Sequence, residues 1–381
     1  MESFWNKLKD IASIGVADIA AAGISAIFWF YIASTIGPEG YGQITYFISI
    51  AMLSSTIALF GASNTNIVYT AKKIPIQPTL YLITLTSGII ISIIVFLIFV
   101  NVGASSLILG FIIFSLTTSE LLGRKLFKIY SKFILTQRIL MVILGISAYH
   151  FIGIEGILIG YSLSYVPYTY IIFNSFKTEK IDFCLIRQKL HFMIPQYFQT
   201  LSGSLSGSLD KLVIAPFFGF ALLGNYSLGL QVYALLTLLP AVVVKYIMPQ
   251  DSSGVENKKL KKMIILASVG IALVGFTVGP IAISSIFPKF IEAENVIKIV
   301  SIATIPFTIT HVYHSKFYGL EKSKNVLIST ICYTVVQIIG ILVLGNIYGV
   351  NGIAAALVMG NLASMCYVLL ADKFDKSNSK V

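Results

Sequence analysis

Long apolar runs separated by short polar breaks recur from Ile11 almost to the C-terminus. A helix crossing the ~30 Å hydrocarbon layer of a bilayer needs roughly 20 mostly apolar residues. The pattern predicts twelve such spans, at about 11 to 36, 42 to 68, 79 to 100, 104 to 122, 134 to 152, 154 to 176, 192 to 216, 222 to 247, 263 to 287, 294 to 317, 325 to 347 and 351 to 371. Continuous runs such as LITLTSGIIISIIVFLIF exclude a transmembrane barrel, whose strands alternate in polarity over segments of about ten residues. The opening MESFWNKLKD leads into an apolar run too long for a signal-peptide core, so it reads as a signal-anchor first span.

Composition agrees: of 381 residues, 56% are hydrophobic and only 11% charged, and the mean hydropathy is +0.87. The fold class expected is an all-α integral membrane protein with few residues left for any soluble domain. Lysine and arginine collect in cytoplasmic loops. If the N-terminus is inside, nearly all of the 27 basic residues fall in internal segments, including Lys72 and Lys73, Arg124 and Lys125, Lys258 to Lys262, and Lys322 and Lys324. Outside lie only Lys289 and Lys298, while Lys211 and Lys245 fall within spans. The alternation supports the span count and places both termini in the cytoplasm. It also accounts for the net charge of +11 by contact with anionic lipid headgroups, without nucleic acid. Cys184, Cys332 and Cys366 are scattered and form no disulfide or zinc framework.

The chain repeats itself. Setting LLGRKLFK against FYGLEKSK, and IGIEGI against YGVNGI, aligns Gly123 with Gly319, Gly153 with Gly349 and Gly156 with Gly352, each pair 196 residues apart. The stretch TIGPEGYG after the first span has a counterpart in FGFALLGNY, residues 218 to 226. Six spans separate the copies, and an even number makes the repeats parallel. The expectation is two six-helix bundles around a central cavity, residues 1–180 and 181–381, as in secondary transporters. TIGPEGYG itself lacks the lysine of a phosphate-binding loop and predicts an external hairpin. In that hairpin Gly37 takes the left-handed cap, Pro38 stops the helix and Gly40 permits the reversal.

The stretches IGPEGYGQITYFISI, LFGASNTNIVYTAKK, SLDKLVIAPFFGFALLGNYSLGLQV with a later MPQ, IFPKFIEAENVIKIVSIATIPF, HSKFYGLEKSKNVLIS and YGVNGIAAALV carry a resemblance running from about residue 10 to 372. In them the chain resembles the oligosaccharide flippases of polysaccharide biosynthesis, within the multidrug/oligosaccharidyl-lipid/polysaccharide (MOP) flippase superfamily. The resemblance implies a non-enzymatic transporter in the cytoplasmic membrane. It would carry a polyprenyl-linked oligosaccharide across the bilayer by alternating access, for surface polysaccharide or glycoprotein assembly. The partners implied are the lipid-linked oligosaccharide, membrane lipids and glycan-assembly proteins, the chain acting as a monomer. No cofactor is expected, and coupling to H+ or Na+ stays open. Members of the family often have fourteen spans against the twelve expected here.

A flippase must hold an anionic headgroup in water while the lipid tail stays in the bilayer, which calls for polar stripes on apolar helices. In the first span Gly15, Asp18, Ala22, Ser25 and Trp29 share a face by their spacing of three and four, and in the seventh Gln196, Gln199, Gly203, Ser206 and Asp210 do the same. The competing reading of Gly203 and Ser206 is close helix packing. Charges at mid-bilayer cost roughly 2.5 to 3.5 kcal/mol and face water or a partner, which singles out Asp18, Asp210, Lys211 and Lys245. Adjacent on a helix, Asp210 and Lys211 point about 100° apart, so each is expected to find its own partner. Lys211 is a candidate for the lipid phosphate and Asp18 or Asp210 for a coupling cation; an interhelical lock through Asp210 is the alternative, and Lys245 can snorkel. The tentative cavity set is thus Asp18, Ser25, Gln199, Ser206, Asp210, Lys211 and Gln231. Arg138, at the start of span five, is the single arginine in a span.

Asn64 and Asn66 either cap a helix or line the cavity. Tyr226 and Tyr233 either stack on sugars or pack. His311 and His314 read as an interfacial pair, not a metal site. No Walker loop, catalytic triad or zinc site is present in the sequence. A membrane glycosyltransferase would need more than the short external FPKFIEAEN, and a major-facilitator carrier would need Gly and Asp in AKKIPIQP. The alternative that remains is a cation-coupled multidrug extruder of the same superfamily.

Overall fold

A computed structural model of the chain describes the backbone of residues 2–178, 180–252, 257–320 and 322–378. Side chains are described within 15–374 apart from 178, 245, 249, 250 and 252, so the candidate Lys245 side chain lies outside them. Among the described residues nine helical stretches are long and apolar enough to cross a membrane.

Two of those stretches are far too long for one crossing. Gly15–Leu59 has 45 residues, about 67 Å of helix against the ~30 Å of hydrocarbon. Helix α1 (Glu2–Leu59) bends at Gly37, with φ 75° and ψ −177°. The whole turn is made at this one glycine, in a region of φ/ψ that a side chain disfavours. Pro38 does not stop the chain; its fixed φ suits the first position of the second arm. Gly40 is an ordinary helical residue, so the reversal expected there is instead made at Gly37.

Three expected spans are interrupted. The second breaks at Phe60 and Gly61, both of positive φ, before α2 (Ala62–Ala71). A side chain at Gly61 would collide with the backbone of Tyr197 and Met193, so the break admits a close approach. There follow α3 (Gln77–Phe99), α4 (Val102–Gly123) and α5 (Phe127–Ile152). The sixth span is split into α6 (Ile154–Leu163), a 3-10 turn at Val166–Tyr168 and α7 (Thr169–Thr178), where Pro167 removes a backbone donor. Next come α8 (Phe183–Phe218), α9 (Phe220–Ser252) and α10 (Lys258–Ile286). The tenth span divides at Ala303 into α11 (Ala293–Ile302) and α12 (Thr304–Gly319), three residues before Pro306. The last helix, α13 (Ser323–Asn378), bends at Gly349 (φ 58°, ψ −137°).

The chain forms two compact units, Met1–Tyr31 with Phe47–Ser208 and Ile32–Tyr46 with Leu209–Val381. The boundary at 180/181 divides the sequence by its repeat, whereas these units divide it by contact: the hairpin 32–46 packs with the second, and residues 183–208 with the first.

Backbone conformation repeats with the sequence. Gly153 turns with φ 80° and ψ −149°, close to Gly349. Three residues on, Gly156 sits against the Ala148 carbonyl and Gly352 against that of Leu344. At the ends of α4 and α12 the same bond closes the helix, Leu126 N–H to the Leu121 carbonyl at 2.9 Å and Lys322 N–H to the Phe317 carbonyl at 2.8 Å.

Within the second unit the two glycine hairpins pack on each other. A Cβ on Gly42 would strike the Phe220 carbonyl, and one on Gly224 the Pro38 carbonyl. Each hairpin therefore seats its own glycine on the first residue of the other's second arm. Lys289 Nζ donates to the Thr35 carbonyl at 3.2 Å, capping the first arm.

Candidate functional site

The first-span stripe meets α5 and α6 inside the first unit. The Tyr130 hydroxyl donates to Asp18 Oδ1 at 3.3 Å, and the Trp29 ring lies edge-on to Tyr161 at 6.0 Å. Between them the half-buried Ser25 has its hydroxyl oxygen buried without a hydrogen-bond partner.

Arg138 belongs to this cluster. Because α5 starts at Phe127, seven residues before the expected 134, Arg138 lies about 16 Å inside the helix and not at its start. It faces the hydroxyls of Tyr161, Tyr165 and Tyr168, and among the described residues no carboxylate pairs with it. Its Nε and the Tyr168 hydroxyl are both buried without a partner. The half-buried guanidinium is met by tyrosine hydroxyls, and its enclosed Nε keeps one N–H donor that an anion would accept from. The rings of Tyr161, Tyr165 and Tyr168 contact one another at 5.5 and 6.2 Å, giving the cluster firm aromatic walls. Sequence spacing missed these tyrosines; the signal available was their recurrence at 161, 165 and 168, one helical face.

The seventh-span stripe divides between the units. In the first, Gln196 Oε1 accepts from Asn64 Nδ2 at 2.9 Å, and Gln199 is exposed. A cavity of about 330 Å3 opens here, lined by Gly203 and by the hydroxyls of Thr56, Ser63, Ser115, Thr200 and Ser204. Nothing lies within 4 Å of a Cβ built on Gly203, so this glycine bounds open space and does not bring helices together. Two hydroxyl pairs, Thr56 with Ser204 at 2.8 Å and Ser63 with Ser115 at 2.5 Å, offer a surface of paired donors and acceptors.

In the second unit Asp210 is buried, and here the expectation of separate partners fails. Lys211 Nζ reaches Asp210 Oδ1 at 3.1 Å, since a four-carbon stem curls back across the 100° between neighbours. The other carboxylate oxygen accepts from the Tyr226 hydroxyl at 3.1 Å, which in turn accepts from Gln337 Nε2 at 3.3 Å. This network ties α8 to α9 and α13. Tyr226 is completely buried in the apolar core, so it packs and is not available to stack on a sugar. Ser206 donates to the Ser202 carbonyl at 3.0 Å, and Gln231 is half-buried on α9.

The remaining polar candidates are structural ties. Asn66 is fully buried and donates to Ser119 Oγ at 2.8 Å and to the Leu116 carbonyl at 3.0 Å, joining α2 to α4. Glu120, also buried, accepts from Tyr81, Ser175 and Arg124 at 2.5 to 3.0 Å. The second unit has matching ties at the corresponding positions, Ser315 to Asp251 at 2.7 Å and Lys316 to Asp372 at 2.5 Å. His314 Nε2 lies 2.6 Å from Ser329 Oγ and His311 stacks on Phe307. Among the described residues no group of three metal-ligating side chains occurs.

No family model and no curated protein matches the sequence. Solved structures do match in fold. The lipid II flippase MurJ in an inward closed conformation superposes with a TM-score of 0.74 over 94% of this chain and 87% of its own, at 17% identity. An inward-facing multidrug resistance MATE family transporter of the MOP superfamily gives 0.68 over 97% and 99%, at 15% identity. A mutant of the Vibrio cholerae MATE transporter VcmN gives 0.60 over 100% and 99%, at 14% identity. The chain therefore has the fold of the MOP-superfamily transporters, shared by a lipid flippase and by multidrug resistance proteins.

Proposed function

We propose that the protein flips a polyprenyl (pyro)phosphate-linked oligosaccharide across the cytoplasmic membrane by alternating access. The observation that carries this reading is Arg138, a half-buried cation in a membrane span whose Nε is enclosed without a partner and which pairs with no carboxylate among the described residues. An anionic headgroup offsets that charge, whereas an organic cation would be repelled. The hydroxyl-lined cavity beside Gly203 suits a sugar, whose own hydroxyls exchange hydrogen bonds with Thr56, Ser63 and Ser204. In this reading Asp18, Ser25, Gln199, Ser206 and Gln231 contact substrate or water, while the Asp210–Lys211 pair orients α8. Twelve spans, with both termini on one side, result if Gly15–Leu59 and Ser323–Phe374 each count as two crossings and Phe183–Phe218 as a further one. The polarity of these residues supports the substrate contacts, and the clustering of lysine and arginine in alternate loops supports termini on the inside.

Asp18 favours a second reading. Its exposed carboxylate in the first span, held by Tyr130, is a site at which a cation could couple to the expulsion of a drug.

One reconstitution separates the two. Vesicles containing the protein and a lipid-linked oligosaccharide are scored for headgroup accessibility on each face, with and without H+ and Na+ gradients. The flippase reading expects translocation that Arg138→Gln lowers at least about tenfold and Arg138→Lys lowers less. Absence of translocation together with gradient-driven efflux of an organic cation, sensitive to Asp18→Asn, would establish the extruder instead.

A further inference from the structure

Two helix starts and three cations meet at one cleft in the first unit. Helix α3 begins at Gln77 and α5 at Phe127, and neither start carries a side-chain cap. Such starts present unsatisfied N–H groups and a partial positive charge. Between them lies a cavity of about 570 Å3 lined by Thr70, Lys73, Gln77, Arg124 and Lys125, with no carboxylate in its wall. Arg124 is held in place from behind, its Nε 2.7 Å from Glu120 Oε1.

Two lysines flank the cleft where α2 and α4 close, and a buried glutamine marks it as built. Lys73 and Lys125 both have left-handed backbone, φ 58° and 59°, where glycine or asparagine is the usual occupant. Lysine has been placed there, on both sides of the opening. Gln77 is only 2% exposed; its Nε2 donates to Thr70 Oγ1 at 2.6 Å, and its Oε1 is buried with no partner. A vacant acceptor beside three cations selects a ligand that is anionic and also carries a hydroxyl hydrogen.

The second unit provides an internal contrast. At the corresponding place, between the start of α10 and the end of α12, a cavity of about 270 Å3 is lined by Lys258, Lys261, Lys262 and Lys316, with Asp372 in its wall. There Lys261 pairs with Asp251 at 2.7 Å and Lys316 with Asp372 at 2.5 Å. Asp372 stands in the wall of that cleft, whereas the carboxylate of the first, Glu120, lies behind Arg124 and outside the lining.

We propose that the cleft between residues 70–77 and 123–126 is a binding site for a hydroxyl-bearing phosphate ester. Lys73, Lys125, Arg124 and the two helix starts hold the phosphate, and Gln77 accepts from the hydroxyl. The source is either the headgroup of phosphatidylglycerol or a soluble glycerol phosphate. The site is independent of what the protein transports.

The test uses the full chain purified in neutral detergent, with bound lipid counted by native mass spectrometry and melting followed against ligand concentration. Phosphatidylglycerol is expected to bind and phosphatidylcholine not to. Lys73→Asn with Lys125→Asn, which keeps residues at home in left-handed backbone, is expected to weaken binding by about tenfold or more. Lys73→Arg with Lys125→Arg restores it, and Lys258→Asn with Lys262→Asn leaves it within about twofold. Competition by sn-glycerol 3-phosphate makes the phosphate ester itself sufficient; phosphatidylglycerol binding without such competition assigns the lipid. If the asparagine pair does not fold, Lys73→Asn alone is read in the same assay. Undiminished binding by the asparagine variants, equal binding of phosphatidylcholine, or an equal loss in the second-cleft variant overturns the proposal.

Discussion

The hydroxyls of Thr45 and Ser227 meet at 3.1 Å, and each lies eight residues past the glycine that turns its own hairpin. Like meets like there, as at Gly42 and Gly224 on either side. The contacts of the two hairpins are reciprocal about Thr45 and Ser227.

Close backbone approach at that contact leaves no room for a side chain. Gly42→Ala and Gly224→Ala are each expected to destabilise the fold by about 1–3 kcal/mol through overpacking. Gly270→Ala, in α10 with nothing within 4 Å of the added Cβ, is expected to be neutral or stabilising by up to about 1 kcal/mol. Melting temperatures of the purified variants in one detergent decide it; equal melting of Gly42→Ala and the parent would remove the steric account.

The Asp210–Lys211–Tyr226 network makes a different prediction. Asp210→Ala removes the ion-pair partner of a half-buried lysine and the acceptor of a buried tyrosine hydroxyl, at a cost of about 3 kcal/mol. The double change Asp210→Asn with Lys211→Gln removes both charges while keeping an acceptor for Tyr226, and is expected to recover part of that loss. A double-mutant cycle on the melting midpoint measures the coupling, and strict additivity would show that the pair does not act as a unit.

Gly153 and Gly349 turn the chain at matching positions with similar dihedrals. Alanine at either is expected to cost about 1–3 kcal/mol of backbone strain, by similar amounts. Since the two lie in different units, the double variant is expected to show the sum within about 0.5 kcal/mol, read as thermal denaturation of membrane-extracted protein.

Glu120 holds three partners at once. Glu120→Ala is expected to cost about 3–5 kcal/mol and to lower the folded yield in membranes, counted by fluorescence-detected size exclusion. Glu120→Gln retains two acceptor sites on its carbonyl oxygen and is expected to lose less. Equal yields for the two would mean that the charge on Glu120, and not its hydrogen bonding, holds α4 to α3 and α7.

Much of this architecture was legible in the apolar runs and the glycine spacing, because both are local properties of the chain. The pairs Gly153 with Gly349 and Gly156 with Gly352 proved equivalent in conformation as well as in order. The N-terminal stripe was legible as well, and the structure sets Asp18 against Tyr130 and Trp29 against Tyr161. Arg138 was misplaced for a physical reason: Lys128 and Lys132 made the first turns of α5 look like loop, although a helix can carry such residues at a membrane surface. The Asp210–Lys211 pair was misread because a Cβ direction does not limit a long flexible stem. The breaks in three spans were hidden inside continuous apolar sequence, where Pro167 and Pro306 were the available markers. The hydroxyl-lined cavity draws on four helices, and no spacing along one segment could assemble it.

The contact of the two hairpins is self-complementary: each offers the other the surface it receives. A surface of that kind is isologous, the form that a homodimer uses. A half-length chain carrying one such hairpin could have met its own copy through it. The present protein holds, within a single polypeptide, the kind of interface that two copies of such a chain would share.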